Sequence, residues 1–347
     1  MSNPHEASSP HERVLAPADW TTGPVADLYS SYVAAAALSA AQELGLLDEL
    51  AEQGKTSYGN GDHPDLDDGV VRTILRALHW AGVVVIEEDG PVLTGPRFAE
   101  AYAARGYFYW LVKGCGELFS IAPQVAKTEN RVGDFYRRDM RAVAIGSRII
   151  GEEEVERLFD QVLADRPPRK VADLGCGSGQ RLIRIAGNHP EASGVGVDIA
   201  RASVQLASES VADAGLADRI TIHRGNVLEL DPSPAFADVD TITCVFMGHD
   251  FWPYDSCVAT LRALRAAFPR AERLLLCDVV RTTELPGPDT TVFTLGFEGV
   301  HALMGDYLPT LDEWRQAFTE SGWECRTIHP TVTPPNGHFF ELVPSAG

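Results

Sequence analysis

Residues 170–179, Lys-Val-Ala-Asp-Leu-Gly-Cys-Gly-Ser-Gly, decide the fold of this chain. A short apolar run, Val171 and Ala172, leads into an acidic residue, Asp173. A turn with glycine at 175, 177 and 179 follows, and a helix is expected from Gln180. Glycine lets the backbone pass close beneath a ligand, where any Cβ would collide. The helix that follows points unpaired N–H groups at the same place. The stretch reads as a nucleotide-type site in an enzyme.

From Lys170 onward, β-rich runs alternate with helical ones. Residues 171–174, 194–199, 220–224, 240–246 and 274–280 read as strands, separated by helices near 180–188, 201–214 and 255–268. Such alternation gives an α/β fold with a parallel sheet and helices on both faces. Residues 323–327 and 338–343 add two last strands, and Thr310 to Glu313 fits a capping box that opens the last helix. Ligands of a doubly wound sheet lie beyond the C-terminal strand ends. Asp173, Asp198, Asn226 and Met247 to His249 all fall there.

The first third has a different pattern. Residues 27–50 are rich in alanine and leucine and read as one or two helices, with a junction at Gly45-Leu-Leu-Asp-Glu-Leu. Residues 67–81 form an amphipathic helix with Val71, Ile74, Leu75 and Leu78 on one face. Residues 83–87 and 91–94 read as short strands around a turn at Asp89-Gly90. Helices followed by a small hairpin have a winged-helix-like shape. Many acids and few bases there favour dimerisation over DNA binding. The aromatic-rich, helical residues 98–160 either roof a substrate site or form plain interdomain core. The expected organisation is a disordered tail (1–18), a winged-helix-like dimerisation domain (19–105), a helical linker or cap (106–160) and a ligand-binding domain (161–347).

A formal charge of −20 argues against a nucleic-acid partner, which calls for a basic face. No apolar run is long enough to span a bilayer. The polar first eighteen residues lack an apolar signal core, so a cytoplasmic location is expected. Six scattered cysteines without a CxxC pair fit reduced, mostly buried thiols.

Asp198 closes the second strand about 20 residues beyond the glycine turn, where a carboxylate accepts hydrogen bonds from ribose hydroxyls. Asn226 closes the third strand, placed for an adenine edge. A nicotinamide dinucleotide would fit the first of these features. The order Asp-x-Gly-x-Gly-x-Gly, with the acid ahead of the glycines, instead resembles the first motif of class I S-adenosylmethionine-dependent methyltransferases. Gly194-Val-Gly-Val-Asp198 and Arg224-Gly-Asn226 continue the resemblance, with asparagine where an acid is commoner. The resemblance implies a Rossmann-like domain with a seven-stranded, mostly parallel sheet. It implies S-adenosylmethionine held by Asp173, Gly175, Gly177, Asp198, Ile199, Asn226, Val227 and Phe246. Gly45-Leu-Leu-Asp-Glu-Leu, Thr73-Ile-Leu-Arg-Ala-Leu-His-Trp-Ala-Gly and Gly248-His-Asp-Phe-Trp are similar to small-molecule O-methyltransferases that form intertwined homodimers. In that family the histidine at the position of His249 is the general base for a phenolic proton.

His301 lies in the helical run Phe293-Thr-Leu-Gly-Phe-Glu-Gly-Val-His-Ala-Leu-Met, where the O-methyltransferase pattern has an apolar residue. A histidine there is costly unless partnered. Taken together, His249 and His301 resemble the metal-binding pair of the α-ketoacid C-methyltransferases of nonribosomal-peptide pathways, the phenylpyruvate β-methyltransferase type. That resemblance implies one transition-metal ion, iron or zinc, held by His249 and His301 with a thioether contact from Met247. It also implies methylation of the β-carbon of a 2-oxo acid such as phenylpyruvate or 4-methyl-2-oxovalerate. A metal bound through the oxo group and carboxylate stabilises the enolate, and imidazoles suit iron or zinc better than magnesium. Asp250 either takes the β-proton, or orients an imidazole, or is a helix N-terminal acid. Arg131, Arg137 and Arg138 are candidate forks for the substrate carboxylate, Arg131 the favoured one. The alternative is a metal-free O-methyltransferase of a phenol with His249 as base.

Overall fold

Pro24 at the first turn and a run of alanines start the helix Pro24–Glu43, and Gly45 separates it from a second helix, Leu46–Gln53. A third, Asp68–Trp80, is capped by Asp67, whose side chain accepts the Val70 N–H. Its Val71, Leu75 and Leu78 are buried, the single face expected from their spacing. Three short strands, β1 (Lys55–Thr56), β2 (Val84–Ile86) and β3 (Val92–Thr94), pair antiparallel in the order β1-β3-β2. This is the helical, winged-helix-like arrangement expected at the front of the chain. Along Pro24–Glu43, Val25, Leu28, Tyr29, Tyr32 and Val33 are exposed.

The structure is a computed structural model in which the chain divides into two compact units, Met1–Tyr102 and Ala103–Gly347. It describes residues 21–345 apart from 60, 62, 88–90, 288, 289 and 332–336, with backbone alone at 153, 154 and 330. The expected tail at 1–18 and the turn at Asp89-Gly90 lie outside the described residues.

The second unit is built on a seven-stranded sheet. Its strands are β4 (Lys170–Leu174), β5 (Ser193–Asp198), β6 (Ile220–Arg224), β7 (Thr241–Val245), β8 (Arg273–Val279), β9 (Trp323–Pro330) and β10 (Gly337–Pro344). The order is β6-β5-β4-β7-β8-β10-β9; the first five are parallel, and β10 runs antiparallel to both its neighbours. The sheet grows outward in both directions from β4 and β7, so a ligand crevice opens beyond the C-terminal end of β4.

Side chains alternate across the sheet. Ala172, Leu174, Ile242, Leu274 and Leu276 pack with the helices Tyr254–Ala267 and Leu311–Glu320. Val171, Leu275 and Cys277 pack on the other face, with Glu156–Asp165 and Gln180–Asn188. The capping box is present: Thr310 Oγ1 accepts the Glu313 N–H, and the Glu313 carboxylate accepts the Thr310 N–H at 2.8 Å. Five of the six cysteines are buried, and among the described residues no disulfide joins them. No helix among the described residues is long and apolar enough to cross a membrane.

Ahead of the sheet, the helix Arg105–Phe108 runs into a π-helical turn, Tyr109–Gly114, that packs on the helix Met140–Ile150. The approach is close because Gly146 lies at the crossing. A Cβ there would stand 2.7 Å from the Trp110 Cβ and 3.0 Å from the Gly106 carbonyl oxygen. Backbone cannot yield as a flexible side chain would. Gly146→Ala is therefore expected to destabilise the protein by about 1–3 kcal/mol, read as a lower urea midpoint with an unchanged m-value. An unaltered midpoint would show that the two helices are free to separate.

Candidate active site

β7 ends at Val245, and Phe246 then takes φ 51°, its N–H donating to the Cys277 carbonyl at 2.8 Å. A 3₁₀ turn, Gly248–Phe251, follows and carries His249 and Asp250. Beside it β8 delivers Asp278, which is 0% exposed. One Asp278 oxygen accepts the His249 Nδ1–H at 2.8 Å and the other accepts the His249 backbone N–H at 2.9 Å. The residue before the histidine must be small: a Cβ on Gly248 would stand 2.9 Å from Asp278 Oδ2. Burial alone would lower the His249 pKa, but the Asp278 carboxylate outweighs it and raises the value to about 9.

His301 comes from the helix Thr294–Met304 and is 4% exposed. Its Nδ1 lies 2.8 Å from the Phe297 carbonyl oxygen, to which it donates. Burial, then the neighbouring His249, pushes its pKa down to about 3. The two imidazoles stand 5.0 Å apart, centroid to centroid, with their planes at 90°. Both line a cavity of about 200 Å³, together with Trp110, Arg138, Asp250, Asp306 and the aromatic rings of Phe246, Phe293 and Phe297. Phe246 and Phe293 are the two non-glycine residues with positive φ among the described residues. Such conformations cost roughly 1–3 kcal/mol each and cluster at functional sites.

The other expected residues divide. Asp250 is at the rim, its side chain 62% exposed, with Oδ1 3.8 Å from His249 Nε2. Partial burial raises its pKa, against the pull of His249 and with help from Asp278 and Asp306. Arg131 is not brought to the cavity. Its guanidinium donates to the Val125 and Ala302 carbonyls, each at 3.2 Å, and covers the Phe135 ring. It braces the end of the His301 helix. Arg137 is exposed. Arg138 is the arginine that lines the cavity; its Nε is buried without a hydrogen-bond partner among the described residues. The guanidinium lies beside the thiol of Cys115, whose pKa burial pushes up to about 11 against the pull of Arg138. Met247 also stays outside the cavity lining: its Sδ lies 2.6 Å from where a Cβ on Gly175 would be.

The glycine turn is held from β5. Gly175 and Cys176 N–H groups donate to the Val197 carbonyl, and the Gly177 N–H donates to Asp198 Oδ2 at 3.0 Å. Gly175, Gly177 and Gly179 have φ of 69°, 53° and 77°, and nothing lies within 4 Å of a Cβ built on Gly177. Asp173 Oδ1 accepts from Thr243 Oγ1 at 2.7 Å and from Arg181 at 3.2 Å; Arg181 also pairs with Glu156. Its Oδ2 is buried with no hydrogen-bond partner among the described residues. Beyond β5, Ile199 is exposed. Beyond β6, Asn226 Oδ1 accepts the Leu228 N–H, and Val227 is buried.

A family profile for a methyltransferase domain matches residues 171–268, the span from β4 through the helix after β7. Methyltransferase ungE' of Aspergillus campestris is 41% identical over 337 residues, 93% of this chain and 98% of that one. Indolepyruvate C-methyltransferase of Streptomyces griseus is 30% identical over 331 residues, 93% of this chain and 96% of that one. The chain belongs to the class I S-adenosylmethionine-dependent methyltransferases of the small-molecule O-methyltransferase-like family. The solved structure of the mitomycin 7-O-methyltransferase MmcR shares the fold of this methyltransferase, with a TM-score of 0.65 at 20% identity over 92% of this chain and 97% of that one.

Several residues of the methyltransferase site carry no motif. Asp278 is the strongest case; an acid directly after the apolar run Leu274 to Cys277, at a C-terminal strand end, was its signal. Thr243, Arg181 and Asp306 had none. Asp278→Asn removes the charge that holds the His249 proton, so in metal-free protein the His249 pKa should fall from about 9 towards or below its ordinary 6.5. Because the folded pKa is the raised one, this stabilisation is full below pH about 6.5 and is lost as pH rises through about 9. The variant should lack that slope in its pH–stability profile. Histidine NMR titration that leaves the pKa unmoved would remove Asp278 as the cause.

Proposed function

We propose that this methyltransferase transfers a methyl group from S-adenosylmethionine to the β-carbon of a 2-oxo acid in natural-product biosynthesis, with His249 and His301 jointly holding a transition-metal ion. One observation carries the reading: two imidazoles line one cavity, and the Nδ1 of each is already engaged, by Asp278 and by the Phe297 carbonyl. Metal-binding histidines are held in this way, leaving Nε2 for the ion. The donor set would fit iron or zinc. When bound, such an ion acts as a Lewis acid that favours the enolate of a 2-oxo acid.

The remaining work falls to the protein's own side chains. Arg138, in the same cavity, is the cation for the substrate carboxylate, in place of Arg131. Asp250, at the rim beside His249, accepts the β-proton on a carboxylate oxygen. Trp110, Phe293 and Phe297 pack edge and face with one another and exclude water around the acceptor side chain. An aromatic wall suits phenylpyruvate, and 4-methyl-2-oxovalerate among smaller acids. The 30% identity to indolepyruvate C-methyltransferase supports a 2-oxo acid.

S-adenosylmethionine supplies a sulfonium methyl group. The buried, unpartnered Asp173 Oδ2 fits its ammonium group, and the open space over Gly177 fits its amino-acid part beside Gly175. Asp198 is placed for the ribose, Asn226 for the adenine edge, and Ile199, Val227 and Phe246 for apolar contact. We further propose that residues 19–105 form the dimerisation domain and 106–160 the cap over the acceptor. The exposed stripe from Val25 to Val33 is the kind of apolar surface that a second copy of the chain covers.

A second reading, metal-free methylation of a phenol with His249 as base, is favoured by the His249–Asp278 pair. That pair orients the His249 ring through a 2.8 Å hydrogen bond. Labelled S-adenosylmethionine and a panel of 2-oxo acids and phenols separate the two. The first reading expects label on the β-carbon. It also expects a loss of at least about 100-fold on chelation or in His301→Ala, since residues that merely support a ligand already cost about 10- to 100-fold. Phenol methylation indifferent to both treatments would replace it with the second. Arg138→Ala should raise KM for a 2-oxo acid by about 10- to 150-fold, the equivalent of roughly 1.5–3 kcal/mol for hydrogen bonds to a charge. An unchanged KM would move the carboxylate elsewhere.

A further inference from the structure

The peptide that leaves β8, residues 278–282, grips both histidine-bearing elements. Its first residue, Asp278, holds the ring and backbone of His249. Arg281 donates its backbone N–H to the Pro309 carbonyl at 2.8 Å and its Nε–H to the Leu308 carbonyl at 2.9 Å, just beyond the helix Thr294–Met304. Thr282 donates its backbone N–H to Glu298 Oε1 at 2.7 Å and its hydroxyl to the same oxygen at 2.8 Å. Glu298 lies one turn before His301 on that helix. The helix is thus tied at its middle and past its end to a peptide that starts at the residue fixing the other imidazole.

The tie matters because the helix has few other directional holds: Arg131 grips the Ala302 carbonyl near its end, and Glu298 is the hold at its middle. The helix's first residue follows Phe293 at φ 84°, with no side-chain cap. Phe297, Val300 and Met304 pack into an apolar cluster, and apolar contact is non-directional. A carboxylate accepting two hydrogen bonds from one residue is directional and charge-assisted. Three residues separate Asp278 from Thr282, so the two grips are coupled through a short stretch of covalent backbone.

We infer that Glu298 is a positioning residue: its clasp on Thr282 sets where His301 stands relative to His249. The inference rests on the reading of the two imidazoles as one joint site. It is tested in the full chain with Glu298→Ala and Thr282→Val, against the conservative Glu298→Gln and Thr282→Ser. Co²⁺ is titrated into metal-free protein and followed by its visible absorption bands, alongside crystal structures of the wild type and the variants. Glu298→Ala should weaken Co²⁺ binding at least about tenfold, with altered bands and His301 displaced from its 5.0 Å station beside His249. Gln and Ser, which keep the acceptor and the hydroxyl, should restore binding. If Glu298→Ala fails to fold, Thr282→Val decides, with a smaller loss in the same direction. A wild type that binds no Co²⁺ counts against the metal reading alone, and the crystal comparison then decides. The inference is overturned if the variants leave His301 in place, or if they bind Co²⁺ as the wild type does.

Discussion

A carboxylate with no exposed surface, Asp278, governs the geometry of the histidine cavity in this methyltransferase. A buried charge costs several kcal/mol unless its lone pairs are satisfied. Asp278 meets that demand with the His249 ring, the His249 N–H and the Val279 N–H. Each donor is thereby fixed. The 3₁₀ turn after β7 is pinned to the end of β8, Gly248 must lack a Cβ, and His249 presents its remaining nitrogen in one orientation. The strained φ of Phe246 is a consequence of the same pinning, since the chain must turn sharply from the end of β7 to reach it.

The two histidines show how far environment outweighs residue type. Both are nearly buried and 5.0 Å apart. Burial pulls both pKa values down; at His249 the Asp278 carboxylate outweighs it and the value rises to about 9, whereas at His301 burial and the neighbouring His249 prevail over the Phe297 carbonyl and the value falls to about 3. A carbonyl orients an imidazole without charging it, while a carboxylate does both. An imidazole that stays neutral and one that holds its proton strongly are chemically different groups, though both are written His.

Much of the glycine turn's geometry was legible because it is local. Asp173, the three glycines and Asp198 lie within one strand-turn-helix-strand segment, so spacing along the chain maps directly onto space. The sheet was legible too, from the alternation of strands and helices, including the two last strands and the capping box. The histidine cavity is assembled from elements far apart in the chain, and there spacing fails. Arg131 and Arg138 are seven residues apart in an irregular stretch, where nothing in the residue pattern says which guanidinium turns inward. Packing decides: Arg131 satisfies two carbonyls near the end of the His301 helix, and Arg138 is left for the cavity. Met247 stood in the right segment, but its sulfur occupies the space where a Gly175 side chain would be, away from the cavity lining. Asp278 and Glu298 act through partners 29 and 16 residues away, and no motif spans those gaps.

The exit of β7 is where the two sides meet. β7 lies between β4, which carries the glycine cradle, and β8, which carries Asp278. Consecutive residues leaving it serve opposite sides: Met247 fills the space against Gly175, Phe246 lines the histidine cavity, and His249 reaches Asp278. Methyl transfer needs donor and acceptor carbons in contact and in line. A single short segment, hydrogen-bonded to β8 and packed beside the glycine turn that follows β4, is a way to hold such a distance. The clamp also accounts for the residue types it uses. A flexible thioether can fill an irregular gap beside Gly175, and a flat ring can line the histidine cavity. The one residue in the segment that must be small, Gly248, stands where the buried carboxylate comes closest.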